Sequence, residues 1–196
     1  MKKLVIASNN PGKLREFQAM LAPLGIEVLT QAQLGIDEAE EPHCTFIENA
    51  LAKARHVSAA SGLPALADDS GICVEALGGA PGVLSARYAG EPKSDTRNNE
   101  KLLQQMQGIE NRRAHYYCVL VLVQHAADPQ PLIAEGEWHG EIAHEERGEG
   151  GFGYDPLFWL PEFGKMSAEL SRDEKAQISH RAKAMQILLQ RINAGG

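Results

Sequence analysis

The feature that most constrains the fold is an unbroken apolar run, Val-Leu-Val-Leu-Val, at residues 119–123. A strand that is half exposed alternates apolar and polar residues, whereas a run without polar positions is typical of a strand covered on both faces. The run is therefore the strongest β signal in the chain and predicts a buried strand over residues 116–124. Such a strand needs packed layers around it, which indicates an α/β protein.

Other segments supply the rest of the layers. Short apolar segments predict strands at residues 4–7, 65–67 and 157–160, one or two strands over residues 132–142, and a strand or an extended arm at residues 72–77. Apolar residues at helical spacing predict helices after Gly12, after Pro42, over residues 94–106 and in the C-terminal part. Thr45 with Glu48, and Ser171 with Glu174, match the capping box that starts a helix. Strands and helices are mixed rather than strictly alternating, so we expect a mixed sheet.

Length and charge limit the function classes. The chain has 196 residues, 43% of them apolar and 23% charged, which suits one globular domain over residues 1–196, built as a single body or as two lobes. It carries 19 Lys and Arg against 26 Asp and Glu, a net charge of −7. Because binding to nucleic-acid polymers depends on clustered cations, we expect no such partner. A local basic site for a small anion stays compatible with this balance.

The cysteines and the N-terminus indicate the compartment. Cys44, Cys73 and Cys118 are odd in number and widely spaced, which predicts reduced thiols rather than disulfides or a zinc site. The first apolar run spans four residues, whereas a signal peptide needs about 7–15 and a membrane span about 20. We therefore expect a cytoplasmic protein without membrane attachment.

The first candidate site follows the first strand. Polar and turn-forming residues lead into a helix and end in a lysine, a combination that can bind an anion. The segment comprises Ser8, Asn9, Asn10, Pro11, Gly12 and Lys13. It matches neither the Walker A nor the dinucleotide-binding glycine pattern. An ordinary surface turn is the alternative interpretation.

The second candidate is the acidic pair Asp68-Asp69, which follows the short apolar segment 65–67. Adjacent carboxylates at a buried strand end need a cation or strong donors, and Mg²⁺ prefers oxygen ligands. One carboxylate could also activate a water molecule. A solvent-exposed Asx turn is the alternative. The acidic stretch at residues 38–41, and Lys53 on the next helix, are compatible with a site or with ordinary surface charge.

The third candidate combines the segment at residues 152–155 with Lys175, His180 and Arg181. Aromatic rings can stack on a nucleobase, an aspartate can bond to its edge, and arginine can bind oxygen atoms. The alternative is that Phe152 and Tyr154 belong to the core and that His180 caps a helix.

Together these segments resemble the inosine/xanthosine triphosphate pyrophosphatase family, and the chain looks like a bacterial member. The likeness runs through essentially the whole sequence. Its motifs are SNNxxK from Ser8, TFxENAxxKA from Thr45, ADDSG from Ala67, GGxPGxxSAR from Gly78, GGFGYDP from Gly150 and SHR from Ser179. Asn9 stands where many members have glycine, a mild departure because asparagine tolerates similar backbone angles.

The resemblance implies a two-lobed α/β fold with a long mixed sheet and a nucleotide cleft between the lobes. It also implies a magnesium-dependent homodimer that cleaves deaminated purine nucleoside triphosphates (ITP, dITP and XTP) between the α and β phosphates. Such an enzyme keeps wrong bases out of DNA and RNA. Exposed apolar residues near Val83, Leu84 and Tyr88 would suit the dimer interface.

The resemblance also implies roles for single residues. Asp69 would be the general base and a metal ligand, with Glu40 as the second ligand and Glu41 as the alternative. The triphosphate would be held by residues 8–13, with Lys53 and Asp68 beside it. The pocket for the rest of the nucleotide would be lined by Ser70, Phe152, Gly153, Tyr154, Asp155, Lys175, His180 and Arg181.

Two other classes stay open at this point. One is a nucleotide sensor that binds a triphosphate without hydrolysing it. The other is a related pyrophosphatase that acts on different nucleotides, such as modified pyrimidines.

Overall fold

A computed structural model describes residues 1–194 and contains one seven-stranded sheet with the strand order β2-β1-β3-β4-β5-β6-β7. The strands are β1 Lys3–Ile6, β2 Glu27–Thr30, β3 Ala65–Val74, β4 Arg113–Val123, β5 Leu132–Ile142, β6 Phe158–Leu160 and β7 Lys165–Met166. The α-helices are α1 Pro11–Leu21, α2 Phe46–Ser61, α3 Asp95–Gln105, α4 Arg172–Ile178 and α5 His180–Ala194.

The sheet is mixed, as the sequence predicts. β1 runs parallel to β2 and to β3, with Val5 opposite Leu29 and Ala65. β5 and β6 are antiparallel, and so are β6 and β7. The α/β class and the mixed sheet are therefore confirmed.

By its internal contacts the chain divides into two compact units. The first comprises residues 1–69, 118–135 and the described residues from 184 onward. Its core is aliphatic, with Phe17 as its large aromatic member. The fully buried side chains of this core include Leu4, Ile6, Phe17, Leu21, Leu66 and Leu120.

The second unit comprises residues 70–117 and 136–183. Its core contains an aromatic cluster in which the Tyr116 and Phe158 rings lie 4.8 Å apart, edge to face. Trp138 completes the cluster, with its ring centroid 5.5 Å from that of Phe158. Leu102 of α3 is fully buried in the same core.

Helices α2 and α4 start at the predicted capping residues. The Thr45 hydroxyl accepts the N–H of Glu48 ahead of α2, and Ser171 with Glu174 forms a complete capping box ahead of α4. Ser94 caps α3 by accepting the N–H of Arg97. These local signals were readable because a capping residue acts within one helical turn.

Strand β3 differs from the sequence prediction. We expected a short strand over residues 65–67 that gives way to a turn at the acidic pair, but the strand continues through Asp68, Asp69 and Ser70 to Val74. The exposed Asx turn considered as an alternative is wrong, because both aspartates are buried. Lys13 and Lys53 pair with the two carboxylates, which offsets the cost of burying them in a strand.

The apolar patch expected near Val83 also differs. Leu84 is 48% exposed, but Tyr88 is buried in the core of the second unit and Val83 is only partly exposed. Tyr88 is therefore a core residue and not a surface one. Within residues 1–194 no helix is long and apolar enough to span a membrane.

We predict that Phe17→Ala lowers the free energy of unfolding by about 3–5 kcal/mol, because it leaves a cavity in the first core. Phe163→Ala is the matched control, since the Phe163 ring is 45% exposed. Its effect should stay within about 0.5 kcal/mol. Urea unfolding followed by circular dichroism measures both, and equal losses for the two variants would contradict this account of the core.

Candidate functional site

Two groups of polar residues stand out, one in each unit. The first centres on Asp68 and Asp69 in β3, whose side chains are only 1% and 10% exposed. Lys13 of α1 reaches Asp68 with 2.7 Å between Nζ and Oδ2, and Lys53 of α2 lies 3.4 Å from Oδ1 of Asp69. Each aspartate therefore meets a lysine from a different helix.

Lys53 also bonds to a third carboxylate. Its Nζ lies 2.7 Å from Oε1 of Glu41, in the loop before α2. Burial alone would lower the pKa of Lys53, but the charges of Asp69, Asp68 and Glu41 outweigh it and the pKa is raised. Lys53 is therefore held in its charged form among three acids.

For Asp69, in contrast, the surroundings disfavour the charged form of the side chain. Burial raises its pKa, Glu41 and Asp68 raise it further, and the opposing effects of Lys53 and Lys13 do not cancel these contributions. A carboxyl whose pKa is moved toward neutrality is a stronger base once ionised, which suits proton abstraction from water.

Glu40 and Glu41 differ in placement. Glu41 is partly buried and contacts Lys53, whereas Glu40 is exposed. Of the two acids that the sequence left open as the second metal ligand, Glu41 is the one whose carboxylate lies in the group around Asp69.

Hydrogen bonds within the segment at residues 8–13 occupy more of its polar groups than the sequence suggests. The Asn10 side chain accepts the N–H groups of Gly12 and Lys13 at 2.9 and 3.1 Å, and the Ser8 hydroxyl accepts the N–H of Asn10. The cap therefore uses backbone N–H groups of the segment that we expected to bind an anion. Asn9 and Pro11 are exposed beside them. The Lys13 ammonium is the remaining strong donor of the segment.

The carboxylate oxygens of this group are ligands of the type that a hard divalent cation prefers. Carboxylates of Asp69, Asp68 and Glu41 gather around two lysines, which leaves one negative charge in excess, and Mg²⁺ commonly binds one or two carboxylates plus substrate phosphates. Among residues 1–194, no group of three or more His, Cys, Asp or Glu is arranged as a ready metal site. In magnesium sites of this kind, substrate phosphates supply further ligands.

In the second unit, the carboxylate of Asp155 is buried and saturated by protein donors. Its Oδ1 accepts the Ser167 hydroxyl at 2.8 Å and lies 3.5 Å from the Tyr116 hydroxyl, while Oδ2 accepts the Phe152 N–H at 2.9 Å and Lys175 Nζ. Gly151 leaves room for this, because a Cβ there would lie 2.2 Å from Oδ2 of Asp155. Asp155 therefore shapes the loop and holds Lys175, and its edge is not available to a base.

The two aromatic rings of the loop have different environments. Phe152 is 53% exposed, with Lys175 Nζ 4.9 Å from its ring centroid. Tyr154 is buried, and its hydroxyl donates to the carbonyl of Ser85 at 2.7 Å. Burial raises the pKa of Tyr154, so it stays protonated. Only Phe152 offers a stacking face, and Tyr154 is the core residue that the alternative interpretation expected.

His180 and Arg181 begin α5 and are both buried. The His180 ring stacks on Tyr116, with centroids 4.9 Å apart and an angle of 10°. Ser70 is partly exposed on β3. Tyr116 therefore contacts both His180 and Asp155, because its ring stacks on the first and its hydroxyl lies 3.5 Å from Oδ1 of the second.

Sequence reasoning missed Asp95, Asn98 and Asn99 of α3, and Ser167, which all contact the loop or its supports. Asp95 and Asn99 are four residues apart on a helix and so share a face, but polar residues on a helix face usually meet solvent. Ser167 carries no recognisable signal at all.

We predict opposite shifts of the Asp69 pKa in two variants. Lys53→Met removes the cation that lowers this pKa and should raise it further, whereas Glu41→Gln removes an anion that raises it and should lower it. Glu40→Gln is the control and should leave it near the wild-type value. Carboxyl ¹³C NMR titration measures all three, and a larger shift with Glu40→Gln than with Glu41→Gln would contradict the placement of these acids.

The chain is similar to known proteins over nearly its whole length. The model of the Ham1 family matches residues 4–191. A dITP/XTP pyrophosphatase of Nitrosomonas europaea is 65% identical over 193 residues, which cover 98% of this chain and 95% of that protein. One of Ralstonia nicotianae is 64% identical and covers 98% and 97%. The solved structure of a HAM1 protein from Coxiella burnetii superposes with a TM-score of 0.96 at 44% identity, covering 99% of this chain and all of that one.

These matches agree with the mixed sheet and extend over both units. The chain belongs to the Ham1 family.

Proposed function

We propose that this chain hydrolyses deaminated purine nucleoside triphosphates (ITP, dITP and XTP) to the nucleoside monophosphate and pyrophosphate. The observation that carries the proposal is 64–65% identity, over 98% of the chain, to proteins named dITP/XTP pyrophosphatase. The lysine-bound acidic pair of β3 supplies groups suited to this chemistry. The reaction removes nucleotides that would place wrong bases in DNA and RNA, and we place it in the cytoplasm, where nucleoside triphosphates are used.

In this proposal Asp69 is the general base. Its raised pKa favours uptake of a proton from the attacking water, and the neighbouring Lys53 ammonium limits that rise. Asp68 does not share this role, because Lys13 holds it in a close ion pair. The two neighbouring acids thus have separate tasks.

The lysines balance the charge of the substrate. A triphosphate brings about four negative charges to a group that already has an excess of acid. An ammonium has three donors, so Lys13 can keep its bond to Asp68 and still bind a phosphate oxygen. Ser8 and the exposed side chain of Asn9 are further polar groups of the same segment.

Asp69 and Glu41 would hold the magnesium ion, in place of the Glu40 that the resemblance named first. When bound, the ion polarises the phosphoryl group and stabilises the charge of the leaving pyrophosphate. Glu41 is suited to this because its contact with Lys53 already holds it beside Asp69.

Residues that the resemblance assigns to the rest of the nucleotide would recognise the base. Phe152 offers an exposed ring for stacking, and Lys175 and Arg181 carry hydrogen-bond donors only. Donors match the 6-oxo group of hypoxanthine and xanthine but not the 6-amino group of adenine, and such mismatches can reduce kcat/KM by about 10⁴. Lys175 is fixed for this task by its ion pair with Asp155.

We also propose a homodimer, on the basis of the family resemblance. The exposed side chain of Leu84 would suit an interface. Sedimentation velocity of the purified chain tests this part separately from the activity.

We predict that the purified protein with Mg²⁺ releases pyrophosphate from ITP, dITP and XTP far faster than from ATP. Asp69→Asn should lose turnover by a factor of at least about 10², the lower range for a general base, while nucleotide binding is largely retained. Ion chromatography identifies the products. Release of orthophosphate, equal turnover of ATP and ITP, or near-normal turnover by Asp69→Asn would each contradict the proposal.

We further predict that chelation with EDTA abolishes turnover and that Glu41→Gln raises the Mg²⁺ concentration needed for half-maximal rate about tenfold or more. The reason is that one carboxylate ligand is lost. Glu40→Gln is the matched control in the same loop and should behave like the wild type. The reverse ranking of the two variants would assign the ligand to Glu40.

A further inference from the structure

We infer that helix α3 positions the loop that carries Phe152, through Asp95, Asn98 and Asn99, and thereby sets the affinity of the site for the nucleobase. The inference rests on the proposed function, because it assigns a task to residues that touch the loop and not the substrate. The four residues of the loop that matter here are Phe152, Gly153, Tyr154 and Asp155.

Helix α3 holds both polar groups of one residue in this loop. The Asp95 carboxylate accepts the N–H of Gly153 at 2.7 Å, and the Asn99 side-chain amide donates to the carbonyl of Gly153 at 3.2 Å. Asp95 and Asn99 are four residues apart and therefore lie on one face of the helix. Gly153 has a φ of +62°, so this bonding fixes a backbone conformation that few other residues adopt.

A second connection runs through Asn98. Its side-chain amide donates to the carbonyls of Ser85 and Ala86 at 3.3 and 3.2 Å, and its oxygen accepts the N–H of Ala89 at 2.7 Å. The Tyr154 hydroxyl donates to the same Ser85 carbonyl. The two residues that follow Phe152 are thus anchored by neighbouring asparagines, one directly and one through Ser85.

Asn99 contributes at a cost to stability. It is 3% exposed, and its Oδ1 atom is buried without a hydrogen-bond partner among the described residues. A buried acceptor without a partner lowers stability, and an apolar side chain of similar volume would avoid that loss. The feature that Asn99 provides, and leucine would not, is the bond to Gly153.

The position of Phe152 depends on this anchoring. Its ring is 53% exposed and lies 4.9 Å from Lys175 Nζ, so packing in the core does not fix it and its place depends on the backbone of residues 152–155. Asp155 holds the loop from the inside through the N–H of Phe152, while α3 holds it at Gly153. Loosening the loop should weaken base stacking equally in the ground state and the transition state, which raises KM and leaves kcat.

The test compares three single variants with the wild type. Asn99→Leu removes the donor together with the unpartnered oxygen, Asp95→Ala removes the acceptor, and Asp95→Asn retains an oxygen that can accept the Gly153 N–H. The readouts are amide hydrogen exchange of residues 152–154 in the ligand-free protein, the melting temperature, and kcat and KM for ITP with Mg²⁺.

For Asn99→Leu and Asp95→Ala we expect faster exchange at residues 152–154 and a KM about three- to tenfold higher, the size expected for one lost hydrogen bond. The kcat should stay within about twofold. Asp95→Asn should recover most of the wild-type KM, and Asn99→Leu should melt no lower than the wild type.

A merely structural role would lower the melting temperature of Asn99→Leu and leave KM unchanged, which would overturn the inference. Unchanged exchange in both Asn99→Leu and Asp95→Ala would overturn it as well. If the wild type releases no pyrophosphate from any nucleotide, the proposed function fails and the role in base affinity fails with it. The hydrogen-exchange data do not depend on turnover, so they test the positioning of the loop by α3 even if the proposed function fails.

Discussion

Asp68 and Asp69 occupy neighbouring positions of a buried strand, and successive side chains of a strand point to opposite faces. Each carboxylate is paired with a lysine from a different helix, Lys13 of α1 with Asp68 and Lys53 of α2 with Asp69. The first unit is organised around these two pairs, because each helix presents its lysine beside one aspartate. The capped start of α1 at Asn10 places Lys13 in the first turn, where it can do so.

Such ion pairs are poor explanations of stability. Removing two charges from water costs free energy that their mutual attraction often does not offset. Proteins with apolar residues in place of such a pair are often as stable. A further pair with a buried carboxylate, Lys175 with Asp155, occurs in the other unit. The pairs of both units lie among residues that the family resemblance assigned to the nucleotide. We therefore interpret them as groups held in place for a substrate, and the raised pKa of Asp69 as the consequence of its burial and of the neighbouring acids Glu41 and Asp68.

Much of the fold was predictable because its signals are local. Apolar runs, helical spacing and capping residues act within a few positions, and they located β1, α2, α3 and β4 closely. The continuation of β3 through the acidic pair was not predictable, since it depends on Lys13 and Lys53, which lie 55 and 16 residues away along the chain. The choice between Glu40 and Glu41 was open for a related reason. A loop has no periodicity, so the sequence does not indicate which of two neighbouring acids faces Lys53.

The loop at residues 152–155 was hard to interpret for the same reason, because its structure depends on residues far away along the chain. Its motif identified Phe152, Tyr154 and Asp155 as one group, yet only Phe152 presents its ring outward, while Tyr154 and Asp155 are used to build the loop. The residues that hold the loop from outside lie in α3, 54 and 58 residues earlier. Discrimination between a 6-oxo and a 6-amino group requires donors that cannot relax toward the wrong base, because a donor free to move finds another partner and the mismatch costs little. On the proposed function, the fixed position of such donors therefore matters as much as their chemistry, and for Lys175 it comes from the ion pair with Asp155, which also holds the loop through the Phe152 N–H.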